Sequence, residues 1–280
     1  MIETVGTGTK LPLQETIRRA RALHEVINVQ LGRPNGAGWT TAADLAAPAS
    51  ADLEALIATA RQQLCTKTPN VVGSAVLQTV QWPLIVTAVS CYLLDQRVPD
   101  LALTNVRLRF TAEWRAVGLA LGRGRFTAVS GDSAANQPDV AIVPDRDALR
   151  TILLTSLETQ LGFLIAQLCQ RLGCHAKGLW LAVADRLAGT VLWLMPLIDT
   201  AVSPAQIEQE VAALIRVPGS PLNHRKVGVF TLTCAGRTQA FLNRATCCYW
   251  YKMEDGGYCA TCPGRSRKER NRLLLQQMVE

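Results

Sequence analysis

Apolar residues recur at helical spacing through most of the chain. The pattern predicts an amphipathic helix over residues 11–31 and a second helix over residues 52–64. Capping and stop signals predict three further helices, over residues 145–173, 179–195 and 203–217. The body of the protein is therefore expected to be mostly helical.

Two segments change to the period of a β-strand. In residues 105–130, apolar positions alternate with Arg107 and Arg109, and glycines at 122 and 124 mark a turn. We interpret this segment as a three-stranded antiparallel meander. Residues 227–233 and 238–242 predict a β-hairpin. The predicted class is α+β: a mostly helical body with an antiparallel β-meander and a hairpin, followed by a C-terminal four-cysteine cluster segment.

Residues 71–94 carry no charge and are long enough to cross a bilayer. Gln78, Gln81 and Pro83 interrupt the apolar run, which favours a buried helix that is bent or broken near Pro83. The first ten residues have neither a charged start nor an apolar run, so we expect no secretory signal. The sequence therefore predicts a cytoplasmic protein with reduced thiols.

The charge of the chain narrows the choice of partners. The net charge over 280 residues is +7, of which residues 265–280 supply +3 through five basic and two acidic residues. The remainder is only mildly basic, so nucleic acid is not expected as a partner. A basic surface suits an anionic small molecule or an acidic redox protein.

Four of the nine cysteines fall within sixteen residues near the end of the chain: Cys247, Cys248, Cys259 and Cys262. Four thiolates are the ligand count of a zinc site or of a two-iron cluster. The adjacent pair is difficult to bring to one tetrahedral ion, because successive side chains of an extended segment point to opposite faces. A two-iron cluster offers two metal positions, while paired disulfides would require an oxidising compartment.

The spacing of these cysteines resembles the signature of the FhuF family of ferric-siderophore reductases. The shared pattern is Cys-Cys, ten residues, Cys, two residues, Cys, and the lead-in at residues 243–246 is also similar. Leu179 and Trp180 resemble the start of a Trp-bearing helix in the family. Leu181 and Ala182 depart from the Asn-containing pair that usually follows. The resemblance implies that the four cysteines hold a redox-active [2Fe-2S] cluster.

The resemblance also implies a reaction, in which one electron would pass from the cluster to Fe(III) in a hydroxamate-type siderophore and release Fe(II). The predicted hairpin leads directly into Cys247, so we expect one continuous unit with a C-terminal appendage. Residues 1–243 would form the siderophore-binding body and residues 244–280 the cluster segment with its basic tail. No flavin or nicotinamide motif is visible, so a ferredoxin-like or flavoprotein donor is expected. The basic tail suits such a donor or peripheral contact with an anionic membrane.

Candidate substrate contacts follow from position and charge. Arg107 and Arg109 share one face of their predicted strand and offer forked donors to oxygen pairs. The resemblance places the substrate between body and cluster, which selects four more residues: Trp180, Arg225, Lys226 and Arg237. The alternative function is a non-enzymatic binding module, with a structural four-cysteine zinc site and a partner-binding tail.

Overall fold

The computed structural model describes residues 12–252 and 256–279. Its α-helices are α1 (Pro12–Leu23), α2 (Ala42–Ala46), α3 (Ala51–Gln63), α4 (Pro69–Asp95), α5 (Arg146–Leu172), α6 (Ala176–Ile198), α7 (Pro204–Ile215) and α8 (Arg267–Val279). Its strands are β1 (Val29–Leu31), β2 (Trp39–Thr41), β3 (Arg97–Pro99), β4 (Val106–Phe110), β5 (Ala116–Leu121), β6 (Phe126–Val129), β7 (Val140–Val143), β8 (Gly228–Cys234) and β9 (Arg237–Asn243). The mixed α+β class is confirmed.

Helix α4 is the centre of the main core and packs against α1, α3, α5 and α6. It is buried, as predicted, and it continues through Pro83 as one helix, so a break, one of the two predicted outcomes, is wrong. Packing against the four surrounding helices offsets the backbone hydrogen bond that proline removes. Its most apolar stretch is 78% buried within the protein, against 39% for α5 and 50% for α6. These three helices are long and apolar enough to cross a membrane by length and composition alone. The cytoplasmic location stays a prediction.

The helix ends follow their sequence signals. The Asp145 side chain accepts a hydrogen bond from the Ala148 N–H at the start of α5, and Gly173 ends that helix in the left-handed conformation, with φ 69°. Ser203 and Gln206 form a reciprocal capping box at the start of α7. These local devices fix both ends of α5 and the start of α7.

The strands pair differently from the predicted meander. Strands β4 and β5 are antiparallel neighbours in a sheet of order β1-β5-β4-β2, whereas β6 lies between β3 and β7 in a second sheet. The Asn105 side chain accepts from the Arg123 N–H at 2.7 Å and donates to the Asp100 carbonyl at 2.7 Å. These bonds hold the turn after β5 against residue 100, which directs β6 toward β3. The predicted third strand of the meander is therefore present as β6, but the prediction that it pairs with β5 is wrong.

The helix predicted over residues 11–31 is shorter than expected. Helix α1 ends at Leu23, and residues 29–31 form β1, which pairs parallel to β5 at Val29 and Leu119. Residues 29–31 therefore join a sheet through pairing with a distant strand, although they continue the amphipathic pattern of α1. Residues 140–143, for which the sequence predicts no strand, likewise form β7 beside β6.

The predicted hairpin is confirmed as β8 and β9, paired antiparallel from Gly228 and Asn243 to Cys234 and Arg237. Helix α8 packs on this hairpin through a second apolar cluster in which Phe241, Leu274 and Met278 are buried. The chain between β9 and α8 contains the four clustered cysteines. Hairpin and helix thus support both ends of the cysteine segment.

Candidate metal centre and adjoining cavity

The cysteine segment is tied to the helical body by Asp185, which is 4% exposed and lies in the middle of α6. Its carboxylate accepts hydrogen bonds from the Ala245 N–H at 2.9 Å, and from the Thr246 N–H at 2.8 Å and hydroxyl at 2.7 Å. Burial raises the pKa of Asp185 despite these bonds. The tether fixes the main chain immediately before Cys247.

The four cysteines come together as two pairs. Cys248 lies close enough to Cys259 for each to shift the pKa of the other, and Cys262, which is 2% exposed, likewise shifts the pKa of Cys247. The turn from Cys259 to Cys262 is closed by a 3.0 Å hydrogen bond from the Cys262 N–H to the Cys259 carbonyl. The structure therefore brings all four predicted ligands into one region and couples each early cysteine to a late one.

A cation and two backbone donors stabilise negative charge at these sulfurs. Arg244 Nη1 lies 3.6 Å from Cys259 Sγ, and the Tyr249 N–H donates to Cys247 Sγ at 3.3 Å. The Cys259 thiol, the Trp250 N–H and Arg244 lower the pKa of Cys248 to about 4 against the effect of burial. Donation to Cys248 raises the pKa of Cys259, and burial raises that of Cys247.

The donor set fits a two-iron cluster. Cys248 with Cys259 and Cys247 with Cys262 form two sulfur pairs, which match a cluster in which each iron takes two thiolates. Arg244 adds a donor to sulfur of the kind that tunes such clusters.

A cavity of about 590 Å³ adjoins Cys248. Its wall is formed by α4, α6 and the cysteine segment, and contains Gln81, Trp82, Arg186, Arg244 and Trp250 among others. The volume lies within the range of about 300–1,000 Å³ that is typical of small-molecule sites. A bound molecule in this cavity would therefore lie directly against one of the four sulfurs.

Arg186 is the cavity residue best placed to bind oxygen. Its guanidinium lies 5.2 Å from the Trp82 ring centroid, and Trp82 in turn lies 5.7 Å from Trp193. Burial and the neighbouring Arg244 lower the pKa of Arg186. Its side chain donates no hydrogen bond to any residue that the structure describes. A desolvated, unpaired guanidinium is a ready partner for anionic oxygen atoms.

The predicted substrate contacts lie elsewhere. Trp180 packs against Gly162 of α5, and the Arg107 guanidinium donates to the Pro34 carbonyl at 3.1 Å and to Asn35 at 2.8 Å. The remaining four are exposed: Arg109, Arg225, Lys226 and Arg237. None of the six lines the cavity beside Cys248.

The cavity residues that sequence reasoning missed carry a recognisable signal. Gln81 lies in the charge-free helix α4, and Asp185 and Arg186 lie near the centre of the apolar helix α6. Polar side chains in such surroundings require a partner or a cavity. Together with the neighbouring Trp82, they mark where α4 and α6 face the cysteine segment.

Comparison with protein families identifies the chain. A model described as the FhuF 2Fe-2S C-terminal domain matches residues 244–263, and a model described as the ferric iron reductase FhuF-like transporter matches residues 74–200. The two matches together cover just over half of the 280 residues. The chain belongs to the FhuF family. Its cofactor is accordingly a [2Fe-2S] cluster, which decides against the structural zinc left open by the cysteine spacing.

The two matched stretches of this FhuF-family protein meet in space. Asp185 belongs to the first stretch, and its hydrogen-bond partners Ala245 and Thr246 belong to the second. The cavity beside Cys248 likewise draws its wall from both. A search of curated proteins found no significant match.

Proposed function

We propose that this FhuF-family protein reduces Fe(III) held by a siderophore in the cavity beside Cys248. The observation that carries the proposal is that Cys248, one of the four clustered cysteines, lines the cavity that also contains Arg186. The family description, ferric iron reductase, supports the same reaction class. The substrate iron would thus lie within contact range of the redox centre.

We further propose that Cys247, Cys248, Cys259 and Cys262 hold the cluster, with each sulfur pair serving one iron. When bound, the cluster supplies a carrier for single electrons. Arg244 stabilises the thiolates, and Asp185 holds the preceding main chain in place. Trp250 lies between the cavity and a smaller one of about 260 Å³, since it lines both.

The chemistry of the cavity favours an oxygen-donor chelate. Hard oxygen donors such as hydroxamates bind Fe(III) far more tightly than Fe(II), so one added electron converts the chelated ion into a releasable one. The unpaired Arg186 guanidinium would bind the oxygen atoms of the chelate, and the Trp82 and Trp193 rings would contact its hydrocarbon parts. These side chains would orient the iron toward Cys248.

The electron donor is proposed to be an acidic protein that docks at the basic C-terminal helix. Arg267, Lys268 and Arg272 of α8 are exposed, while Leu274 and Met278 hold the opposite face of the helix on the hairpin. A ferredoxin-like or flavoprotein donor suits this surface. An anionic membrane is the second candidate partner for the same charges.

An anaerobic assay with a Fe(II) trap tests the proposed reaction. The purified holoprotein, reduced by a ferredoxin system, should release trapped Fe(II) from a ferric trihydroxamate at a rate proportional to protein. Each of the four variants Cys247→Ser, Cys248→Ser, Cys259→Ser and Cys262→Ser should lose iron loading and this activity. Cys234→Ser, in the hairpin, is the matched control and should keep both. Normal iron content in any of the four variants would contradict the proposed ligand set.

Binding of the chelate separates the cavity from the earlier candidates. Arg186→Gln should weaken ferric-trihydroxamate binding by about tenfold or more, because a charge-assisted contact to oxygen is lost. Arg107→Ala with Arg109→Ala provides the comparison on β4. If that double variant loses affinity and Arg186→Gln does not, the substrate binds at the strand face instead of the cavity. Trp180, Arg225, Lys226 and Arg237 stay predicted contacts and can be ranked in the same titration.

A further inference from the structure

Gln81 is an anomaly in the core of the protein. It lies in the middle of α4 with 0% exposure, and it belongs to the wall of the cavity beside Cys248. Neither its Oε1 nor its Nε2 has a hydrogen-bond partner among the described residues. Its amide therefore keeps one free acceptor and two free donor hydrogens beneath the cavity surface.

Neighbouring glutamines show that this arrangement is particular to Gln81. Gln78, one turn earlier on α4, donates to the Ser74 hydroxyl at 3.1 Å. In Gln160 and Gln167 on α5, only the carbonyl oxygen is both buried and without a partner among the described residues, and neither glutamine lines this cavity. Burial of an unpaired amide is unfavourable, and leucine or methionine would fill similar space without that cost. An amide in this position therefore points to a partner that arrives with the ligand.

The surroundings indicate what that partner is. Gln81 precedes Trp82, on which the Arg186 guanidinium stacks, so a charged donor and a neutral donor–acceptor group lie in one wall. Arg186 suits anionic oxygen atoms, whereas a primary amide both donates and accepts and can therefore bind either the carbonyl or the N–H of a secondary amide. Because the Gln81 amide has no exposed surface, the ligand would reach it after the side chains above it move aside.

We propose that Gln81 is a specificity-determining contact that pairs with a secondary amide in the chain of the chelator. The inference rests on the proposed function of the cavity and extends it from the iron to the organic part of the siderophore. Chelators that carry amides beside the iron centre are selected, and chelators built only of carboxylate and hydroxyl oxygens gain nothing from this residue.

Calorimetric titration with redox-inert gallium chelates tests the proposal without requiring reduction. The anaerobic holoprotein is titrated with the Ga(III) complex of a linear trihydroxamate that contains secondary amides, and with Ga(III) citrate, which has none. Gln81→Leu and Gln81→Met should weaken trihydroxamate binding by about tenfold or more, since the amide partner is lost. Citrate binding should be the same in wild type and variants.

Two controls distinguish ligand recognition from a structural role. Gln167→Leu removes an unpartnered glutamine outside the cavity and should leave both titrations unchanged. The thermal unfolding temperature of Gln81→Leu should equal or exceed that of the wild type, because an unsatisfied amide is removed. Lost affinity together with lowered stability, or an equal loss for citrate, would overturn the proposal. Unchanged trihydroxamate affinity in the Gln81 variants would overturn the role of Gln81 but leave the proposed function of the cavity standing. A wild type that binds neither chelate would overturn both.

Discussion

Arg244 places a positive charge directly beside the sulfur atoms of the cysteine segment. It lies between the sulfur of Cys259, 3.6 Å away, and the cavity, whose wall it shares with Arg186. The sulfurs raise the pKa of Arg244 even though burial opposes this. A positive charge at this position stabilises the reduced state of the cluster, which is more negative than the oxidised state. Arg244 would therefore raise the reduction potential of the cluster.

Arg244→Gln should therefore lower the reduction potential of the cluster. A shift of about 60–120 mV is expected, which for a one-electron couple corresponds to roughly one to two factors of ten. Anaerobic potentiometry followed by visible absorption measures it. Arg61→Gln, an exposed change on α3, is the charge-matched control and should leave the potential unchanged. A potential that rises in Arg244→Gln would contradict the assigned role.

Asp185 acts through the main chain that it holds. Asp185→Ala leaves the N–H groups of Ala245 and Thr246 without their acceptor, and the segment before Cys247 loses its attachment to α6. Iron content should fall severalfold while far-UV circular dichroism retains the helical signal, because the main core is formed by other residues. Asp147→Ala, at an exposed position of α5, should keep its iron. Full iron loading in Asp185→Ala would show that the tether is dispensable.

Among the structural elements, those whose conformation depends on one short segment of the chain could be predicted from the sequence. The caps of α5 and α7, the hairpin of β8 and β9, and the four-cysteine motif all depend on residues close together in the chain. Strand β6 is the contrast, because its partners depend on the Asn105 side chain and on strands more than ten residues away. No local period specifies such pairing.

The cavity was difficult to predict for a related reason. A helix that is apolar on nearly every side has no distinct apolar stripe, so the sequence does not show which turn of α4 or α6 faces the cysteines. The family resemblance selects Trp180, whose ring lies against Gly162 of α5, whereas Trp82 and Trp193 line the cavity. Asp185, Arg186 and Gln81 were visible as polar residues in apolar helices, but their shared destination depends on tertiary packing.

The attachment of α8 to the hairpin is testable at this scale. Leu274 is 2% exposed and packs with Phe241 and Met278 in the small second cluster. Leu274→Ala should lower the free energy of unfolding of this region by about 2–3 kcal/mol, because methylene groups are lost from a packed site. Hydrogen exchange should accelerate in α8, β8 and β9 and remain slow in α4. Leu275→Ala, at a half-buried neighbouring position, should have a smaller effect.

For the whole molecule, Glu210 connects three of the long core elements. Its carboxylate accepts from the Tyr92 hydroxyl of α4 at 2.6 Å and from Arg150 of α5 at 3.0 Å, while Arg146 lies 3.1 Å away. Burial would raise the pKa of Glu210, but the Arg150 and Tyr92 hydrogen bonds lower it below the ordinary value. The network fastens α7, which supports the hairpin, to the two longest helices.

This network makes stability depend on pH. Since the folded-state pKa of Glu210 is lowered, its contribution is present above the ordinary value of about 4.3 and is lost as the pH falls through the folded-state pKa. Glu210→Gln should lower the free energy of unfolding at pH 7 by about 2–4 kcal/mol, because two arginines lose their buried counter-charge. The difference from the wild type should shrink below about pH 4 in denaturant titrations. Glu208→Gln, exposed on the same helix, should change stability little at either pH.

The tether at Asp185 has a consequence for how such proteins can be recombined. Two of its three bonds go to main-chain N–H groups, which every amino acid except proline provides, and only the third depends on a threonine. A cysteine segment transplanted from another family member could thus form the same main-chain hydrogen bonds to Asp185, provided that its first residues match in length and lack proline. The redox module could be exchanged while the helical scaffold stays as it is.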